Sequence, residues 1–344
     1  MHPLISRPER CLITGASGFI GTRLCELLDQ QGVQPYTPLV RSPIAATALR
    51  ARWPHLAVAD LLNTADLKRA MQGCDSIIHL AHSDRGPEAT RRLVDCAIER
   101  GIARFVHVST MSVHGPAPGP EAAREDTARI GRYDHDYSDS KAEQEEIVQS
   151  AHDRGDLQVV ILRPTVVYGP NSHFVLQVIE QARDGTVTVF DHGTGLCNAV
   201  YVDDVCDAID AALVRAEATG QAMFINGDQT VTWGEFINAF AAMVEPAPQV
   251  TNLSSADALS YWAAHPPVHA RSLLGRIGIK LKKLGGWQPP VAPWPNAGRV
   301  QREIFPVAFH NEKAKRVLDW APKFDFPHGV SATRSWLGAA GYLA

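Results

Sequence analysis

A chain of 344 residues, 45% hydrophobic and 20% charged, has an ordinary globular composition and enough length for one large domain with an appendage or for two domains. Its formal net charge of −4 excludes a general attraction to nucleic acid or to an acidic membrane surface. No apolar run approaches the ~18 residues that span a bilayer, and Met1 to Arg10 lacks the apolar centre of a signal peptide, so a cytoplasmic protein is expected. The first predicted element is a strand that begins at Cys11, followed by a turn with glycines at Gly15, Gly18 and Gly21. A helix follows over Phe19 to Gln31, with Ile20, Leu24, Leu27 and Leu28 on one face and Gly32 as its stop. Gly15 suits the tight turn, Gly18 lets backbone N–H groups approach a phosphate, and Gly21 lets the helix pack closely on the sheet. The turn is a dinucleotide-binding signal, although its first two glycines stand one residue further apart than in the commonest fingerprint.

Short apolar runs then alternate with longer runs of helical spacing. Strands are predicted at about Gln34 to Val40, despite Pro35 and Pro38, and at Leu56 to Ala59, Ser76 to Leu80 and Arg104 to Ser109. Helices are predicted at Ile44 to Arg52, Ala65 to Met71 and Glu88 to Arg100. This pattern predicts an α/β fold, a Rossmann-type doubly wound parallel sheet covered by helices on both faces. Ligands of such sheets bind beyond the C-terminal strand ends, which here are Gly15 to Gly21, Val40 to Ser42, Asp60-Leu61, Leu80-Ala81-His82 and Ser109 to Ser112. At the second strand end Arg41 stands where a carboxylate would mark a free ribose 2′-hydroxyl. An arginine suits a 2′-phosphate, which favours NADP over NAD. Asp60 could accept from an adenine amino group or cap the next helix.

A polar helix further on carries Tyr137 and Lys141, four residues apart and therefore on one face. A free phenol titrates near about 10; a neighbouring ammonium and an oxidised nicotinamide would lower that, making Tyr137 an acid–base candidate. The motifs together resemble the extended short-chain dehydrogenase/reductase superfamily, including its NAD-dependent epimerase/dehydratase group. The likeness rests on Gly15-Ala16-Ser17-Gly18-Phe19-Ile20-Gly21, Ile78-His79-Leu80-Ala81, Ser109-Thr110, Tyr137 with Lys141, Arg163 to Pro170 and Val200 to Val205. It implies Tyr137 as general acid/base, Lys141 as its electrostatic partner and a ribose ligand, and Thr110 as the hydroxyl orienting the substrate oxygen. It implies further that Ser17, Phe19, Ile20 and Ser109 help hold the cofactor, and that the backbone after Arg163-Pro164, with Val166, borders the nicotinamide.

Departures from that pattern narrow the chemistry. Met111 and Ser112 replace the acidic pair of sugar dehydratases, and Cys197 replaces an arginine that many nucleotide-sugar enzymes use for a diphosphate. The stretch from Asn198 to Asp204 looks more like the branch that reduces ketones or oxidises alcohols on bulkier, less charged substrates. Ser112, His114 and Asn198 are the substrate-site candidates. The expected activity is hydride transfer between NAD(P) and a carbonyl or secondary alcohol carbon. The alternative is a nucleotide-sugar epimerase with tightly held NAD, and a non-catalytic cofactor sensor is a third reading.

The expected division is residues 1–170 as the dinucleotide-binding domain and 171–344 as a mixed segment that completes the sheet and forms a smaller C-terminal substrate-binding lobe. Within that second half, helices are predicted at Phe174 to Ala182, Val205 to Arg215 and from the capping box Thr232 to Glu235 through Val244. Strands are predicted at Val187 to Phe190 and Ala222 to Ile225, and a final helix at Gly329 to Leu337. Residues 265–306 read as a lid or interface insertion; a basic amphipathic stretch over 271–284 could cover the cleft, join a homodimer or touch a membrane. The six cysteines stand singly, and no third ligand joins His79 with His82 or His265 with His269, so buried thiols and no metal are expected. The expected partner is a small-molecule substrate.

Overall fold

The computed structural model describes residues 6–32, 35–128, 130–133, 135–265 and 294–343. Seven strands form one parallel sheet: β1 (Cys11–Thr14), β2 (Tyr36–Val40), β3 (Ala57–Val58), β4 (Ser76–His79), β5 (Arg104–Val108), β6 (Gln158–Pro164) and β10 (Ala222–Ile225). Their order is β10-β6-β5-β4-β1-β2-β3, so the strand order reverses beside β1, where doubly wound sheets open a crevice. The strand β6, absent from the strands predicted from the sequence, lies between β5 and β10.

Alternation along each strand divides the core. Leu12, Ile77, Phe105, Val159 and Ile161 face one side, under α3 (Thr64–Ala70), α4 (Gly86–Glu99) and α5 (Asp136–Asp153). Cys11, Ile13, Ile78, Val106 and Leu162 face the other, under α1 (Phe19–Gln31) and α7 (Val202–Val214), which pack on each other. Proline inside β2 is tolerated for a geometric reason. Pro35 O accepts from Cys11 on the β1 side and Val40 O accepts from Ala59 on the β3 side. By the two-residue period Pro38 faces β3, but β3 begins only opposite Leu39, so no ladder donor is missed.

The second half adds β7 (Val166–Tyr168), α6 (His173–Arg183), β8 (Thr186–Phe190), β9 (Ala199–Tyr201), α8 (Trp233–Ala241), β11 (Gln249–Leu253) and α9 (Ser255–Ala264). Two short parallel pairs, β7 with β9 and β8 with β11, hold it, and the capping box of Thr232 and Glu235 opens α8. The chain closes with α10 (Ala297–Ile304), α11 (Glu312–Leu318) and α12 (Phe326–Ala339). Asp204 on α7 anchors this return: its carboxylate accepts from the backbone N–H groups of Lys323 and Phe324, and its carbonyl from Trp320 Nε1. Burial pushes the Asp204 carboxyl up to about 6. The expected helix over 271–284 lies outside the described residues. No helix among the described residues is long and apolar enough to cross a membrane.

The opening turn is packed too closely to admit side chains at two of its glycines. Gly15 has φ +72°, and a Cβ there would lie 2.8 Å from the backbone of Leu80 and Ala81 after β4. A Cβ on Gly21 would lie 2.2 Å from Gly15 O. Gly21→Ala is therefore expected to cost about 3 kcal/mol or more, because backbone must shift to admit one methyl group. Gly338→Ala, in an open position of α12, should be neutral or stabilising. Thermal denaturation of the two variants side by side checks the contrast.

Candidate active site

The turn between β1 and α1 stands between two cavities. One, of about 540 Å³, is lined by Gly15, Ser17 and Gly18, by Arg41 and Ser42 after β2, by Asp60 and Leu61 after β3, and by Leu80, Ala81 and His82 after β4. The other, of about 400 Å³, is lined by Phe19 and Ile20 from the same turn, by Ser109, Thr110 and Ser112 after β5, by Tyr137 on α5, and by Pro164 and Val166. Gly18 caps α1 with no side-chain hydrogen bond, so the first-turn N–H groups of that helix are left for an anion. Most of the strand-end residues singled out in the sequence are thus brought to two adjoining cavities, with the turn between them; Gly21 lines neither and packs against Gly15 instead.

Within the second cavity the reactive groups cluster. The His135 side chain caps α5 by accepting from the Ser138 N–H, which sets Tyr137 in the first turn. Tyr137 as a whole residue is 38% exposed, and its ring meets His82 edge-on at 5.0 Å, linking the two cavities. Burial around the phenol raises its pKa, and the Thr110 hydroxyl beside it pulls the other way by hydrogen-bonding the phenolate. Thr110 Oγ1 also accepts from the Ser112 N–H at 3.2 Å. The Ser109 hydroxyl in the same wall is buried with no hydrogen-bond partner among the described residues, a polar atom that a bound polar group would satisfy.

Lys141 lies one turn along the helix, is buried and lines neither cavity. Its ammonium donates to Val108 O at 2.9 Å, and burial depresses its pKa to about 8 against the opposing pull of Glu145. Burial and the Lys141 charge hold His79 at about 3, hence neutral, between Thr14 (2.7 Å) and Thr90 (3.0 Å). Asp60 does not cap α3. That helix is capped by Asn63, while Asp60 accepts from the Leu62 N–H one turn earlier.

Three candidates sit elsewhere. The Arg163 side chain turns away from the cavity into a buried ion pair with Glu145, at 2.7 and 3.0 Å, because its place on β6 faces α5. Its neighbour His114 is also buried, edge-on to Phe224 at 5.2 Å and 3.4 Å from an Arg163 nitrogen, and does not line the cavity. Asn198 is a clamp: its amide donates to Val307 O and accepts from the Phe309 N–H, holding the returning chain instead of a substrate. Cys197 is buried in the core, and its N–H donates to Val231 O. In exchange, the cavity wall is completed by residues the sequence reading did not single out: His135, Phe174, Asn296, Arg302, Phe305 and Phe309. Most come from far along the chain, and no local motif marks them.

The model of one known family, described as the NAD dependent epimerase/dehydratase family, matches residues 11–226. The chain belongs to that family. It is an enzyme of the extended short-chain dehydrogenase/reductase type, NAD(P)-dependent as the family is. It is 29% identical over 275 residues to a 2-alkyl-3-oxoalkanoate reductase of Shewanella oneidensis, covering 73% of this chain and 70% of that protein. It is 26% identical over 348 residues to a 4-hydroxy-2-methyl-3-oxo-4-farnesyl-3,4-dihydroquinoline-1-oxide ketoreductase of Stigmatella aurantiaca, covering 96% and 97%. Among solved structures, the UDP-glucuronic acid 4-epimerase of Bacillus cereus, in complex with UDP-glucuronic acid and NAD, has a TM-score of 0.71 at 20% identity. That match covers 96% of this chain and 99% of the other, and it bears on the fold.

Because Arg163 is a structural cation, Arg163→Met should leave Glu145 buried and unpaired and cost about 3–5 kcal/mol. Replacing both residues by methionine should recover most of that loss. Urea denaturation of the single and double variants measures both effects.

Proposed function

We propose that the protein is an NADP(H)-linked reductase/dehydrogenase acting on a carbonyl or secondary alcohol carbon within a largely apolar substrate. The observation that carries this reading is the opening turn standing between two cavities, one of which contains the Tyr137 phenol and the Thr110 hydroxyl. A dinucleotide has that shape: two nucleosides joined by a diphosphate. The diphosphate is assigned to the α1 N-terminus at Gly18, the adenosine half to the cavity at Arg41 and Asp60, and the nicotinamide half to the cavity at Ser109 and Val166.

When bound, nicotinamide would supply or accept a hydride, one proton with two electrons, at the substrate carbon. In the reductive direction Tyr137 gives its phenolic proton to the carbonyl oxygen as negative charge develops there, while Thr110 holds the same oxygen. In the oxidative direction the Tyr137 phenolate takes the hydroxyl proton. Lys141, on the same helix face, is assigned to the ribose hydroxyls, which its ammonium would reach with a donor not used on Val108 O, and to steadying the phenolate. The cavity's Met111, Val166, Val167, Phe174, Phe305 and Phe309 favour an apolar substrate body, and the two reductase relatives act in that chemistry by their names. Cys197 in the core supplies no cation for a nucleotide-sugar diphosphate, which disfavours the epimerase alternative.

Arg41 is exposed at the rim of the first cavity and forms no ion pair among the described residues, so its guanidinium is available to a 2′-phosphate. Arg41→Ala should raise the Kd for NADPH by roughly 10- to 100-fold and change that for NADH far less, as read by nucleotide fluorescence titration. Equal losses for both nucleotides would count against the NADP assignment.

Tyr137→Phe should lower turnover of a ketone and alcohol panel by roughly 10²- to 10⁴-fold with nucleotide binding retained. Thr110→Val removes the hydroxyl that favours the phenolate, so the Tyr137 pKa rises further. The limb of the oxidative pH–rate profile that needs the phenolate should then move to higher pH. Full turnover in Tyr137→Phe would remove the mechanism.

A further inference from the structure

The cavity that contains Tyr137 has a single permanent charge on its described wall. No aspartate or glutamate lines it, and Arg302 is its one arginine, with no lysine. Arg302 stands near the end of α10, fixed at its backbone by Trp233, whose Nε1 donates to the Arg302 carbonyl at 3.1 Å. Its guanidinium lies over two rings, 5.2 Å from the centroid of Phe174 and 5.4 Å from that of Trp233, so its orientation is held before any ligand arrives.

The neighbouring carboxylate is shared between two cations: Glu303 Oε1 is 2.7 Å from Arg299 Nε and makes a longer ion pair, 3.6 Å, with Arg302, so the three groups keep a net positive charge. Arg302 Nε is buried and makes no hydrogen bond among the described residues. A guanidinium that is held by aromatic faces, short of acceptors and open to a ligand cavity is arranged for an incoming planar anion.

We propose that Arg302 is the anion anchor of the substrate site. It pairs with a carboxylate on the same molecule whose carbonyl or hydroxyl oxygen meets Tyr137 and Thr110. The inference rests on the reading of those two residues as the reacting end. It makes the substrate class an oxo or hydroxy acid, with the apolar wall between Arg302 and Tyr137 taking the carbon chain. Arg302 is then a positioning and specificity residue; the proton transfer stays with Tyr137.

The test compares a medium-chain 3-hydroxy acid with its methyl ester, each with NADP and the full-length protein. The acid should be preferred in kcat/KM by roughly 10- to 100-fold, the range that one charge-assisted hydrogen-bond pair supplies. In Arg302→Met the acid-to-ester ratio should collapse toward unity through the KM of the acid, and Arg302→Lys should restore part of it. Independently of turnover, the acid should raise the melting temperature of the NADP-loaded wild type and not of Arg302→Met. An acid-to-ester ratio near unity in the wild type, or one unchanged in Arg302→Met, overturns the proposal. So does stabilisation of the wild type by UDP but not by the acid, which would make the anchor a diphosphate site. Binding of the acid through Arg302 with no turnover of either compound upholds the anchor and overturns the hydride-transfer reading instead.

Discussion

The structure depends on how closely the backbone after β1 approaches the backbone after β4. Gly15 lies where any side chain would strike Leu80 and Ala81, and Gly21 lies where one would strike Gly15 itself. These contacts press α1 onto the sheet at the point where strand order reverses, and they fix how far apart the two cavities stand. A looser turn would admit side chains, but it would move the α1 N-terminus away from the strand ends that supply Ser109 and Thr110. The anion-binding end of α1 and the proton-donating end of α5 therefore share one rigid reference, the C-terminal edge of the sheet.

Behind that edge lies a buried polar layer on the α5 side. His79, His107 and Arg163 end the inward-facing rows of β4, β5 and β6, continuing from Ile77, Phe105 and Ile161. The rings of His79 and His107 are 5.3 Å apart, His79 is tied to Thr14 and Thr90, and Thr90 donates on to Gln144 of α5. Arg163 is tied to Glu145, and Lys141 to Val108. Four positions along one helix, 137, 141, 144 and 145, thus go from the cavity into this layer. His107 makes no side-chain hydrogen bond among the described residues, but for the others the cost of burial is offset by their pairing, and the result is a helix whose rotation is defined by polar contacts as well as by apolar packing.

The first half was legible because strand period, helix period and turn chemistry agree there. The bounds of α1 read from the sequence coincide with those observed, and Gly32 ends the helix in the left-handed conformation expected of it. The Arg163 side chain shares the parity of Val159 and Ile161, which places it under α5, while the backbone that follows it, from Pro164 to Val166, lines the cavity. His114 and Asn198 were assigned by their neighbourhood to motifs, and neighbourhood in sequence says nothing about which way a side chain turns at a bend. Arg302, Phe305 and Phe309 lay beyond reach altogether. They belong to a proline-bracketed stretch with no sustained period, and their place at the cavity is set by contacts with residues 69 to 111 positions earlier in the chain.

Those contacts explain why the substrate wall is assembled from the end of the chain. Asn198, in a left-handed conformation at the bend before β9, clamps the backbone at Val307 and Phe309 with both ends of its amide. Asn226 adds a bond to Phe309 O, and Asn311 reaches back to Asn226 O. Three buried or nearly buried amides therefore hold the segment that carries Phe305 and Phe309 into the cavity, while Trp233 holds α10 and with it Arg302. Short amides suit this work because each can donate and accept at once, satisfying an irregular backbone that has no ladder partner. The fold thus separates two tasks. A regular sheet edge, built from local patterns, carries the reaction chemistry, and an irregular strap, held by side-chain amides, carries the surface that selects what is brought to it.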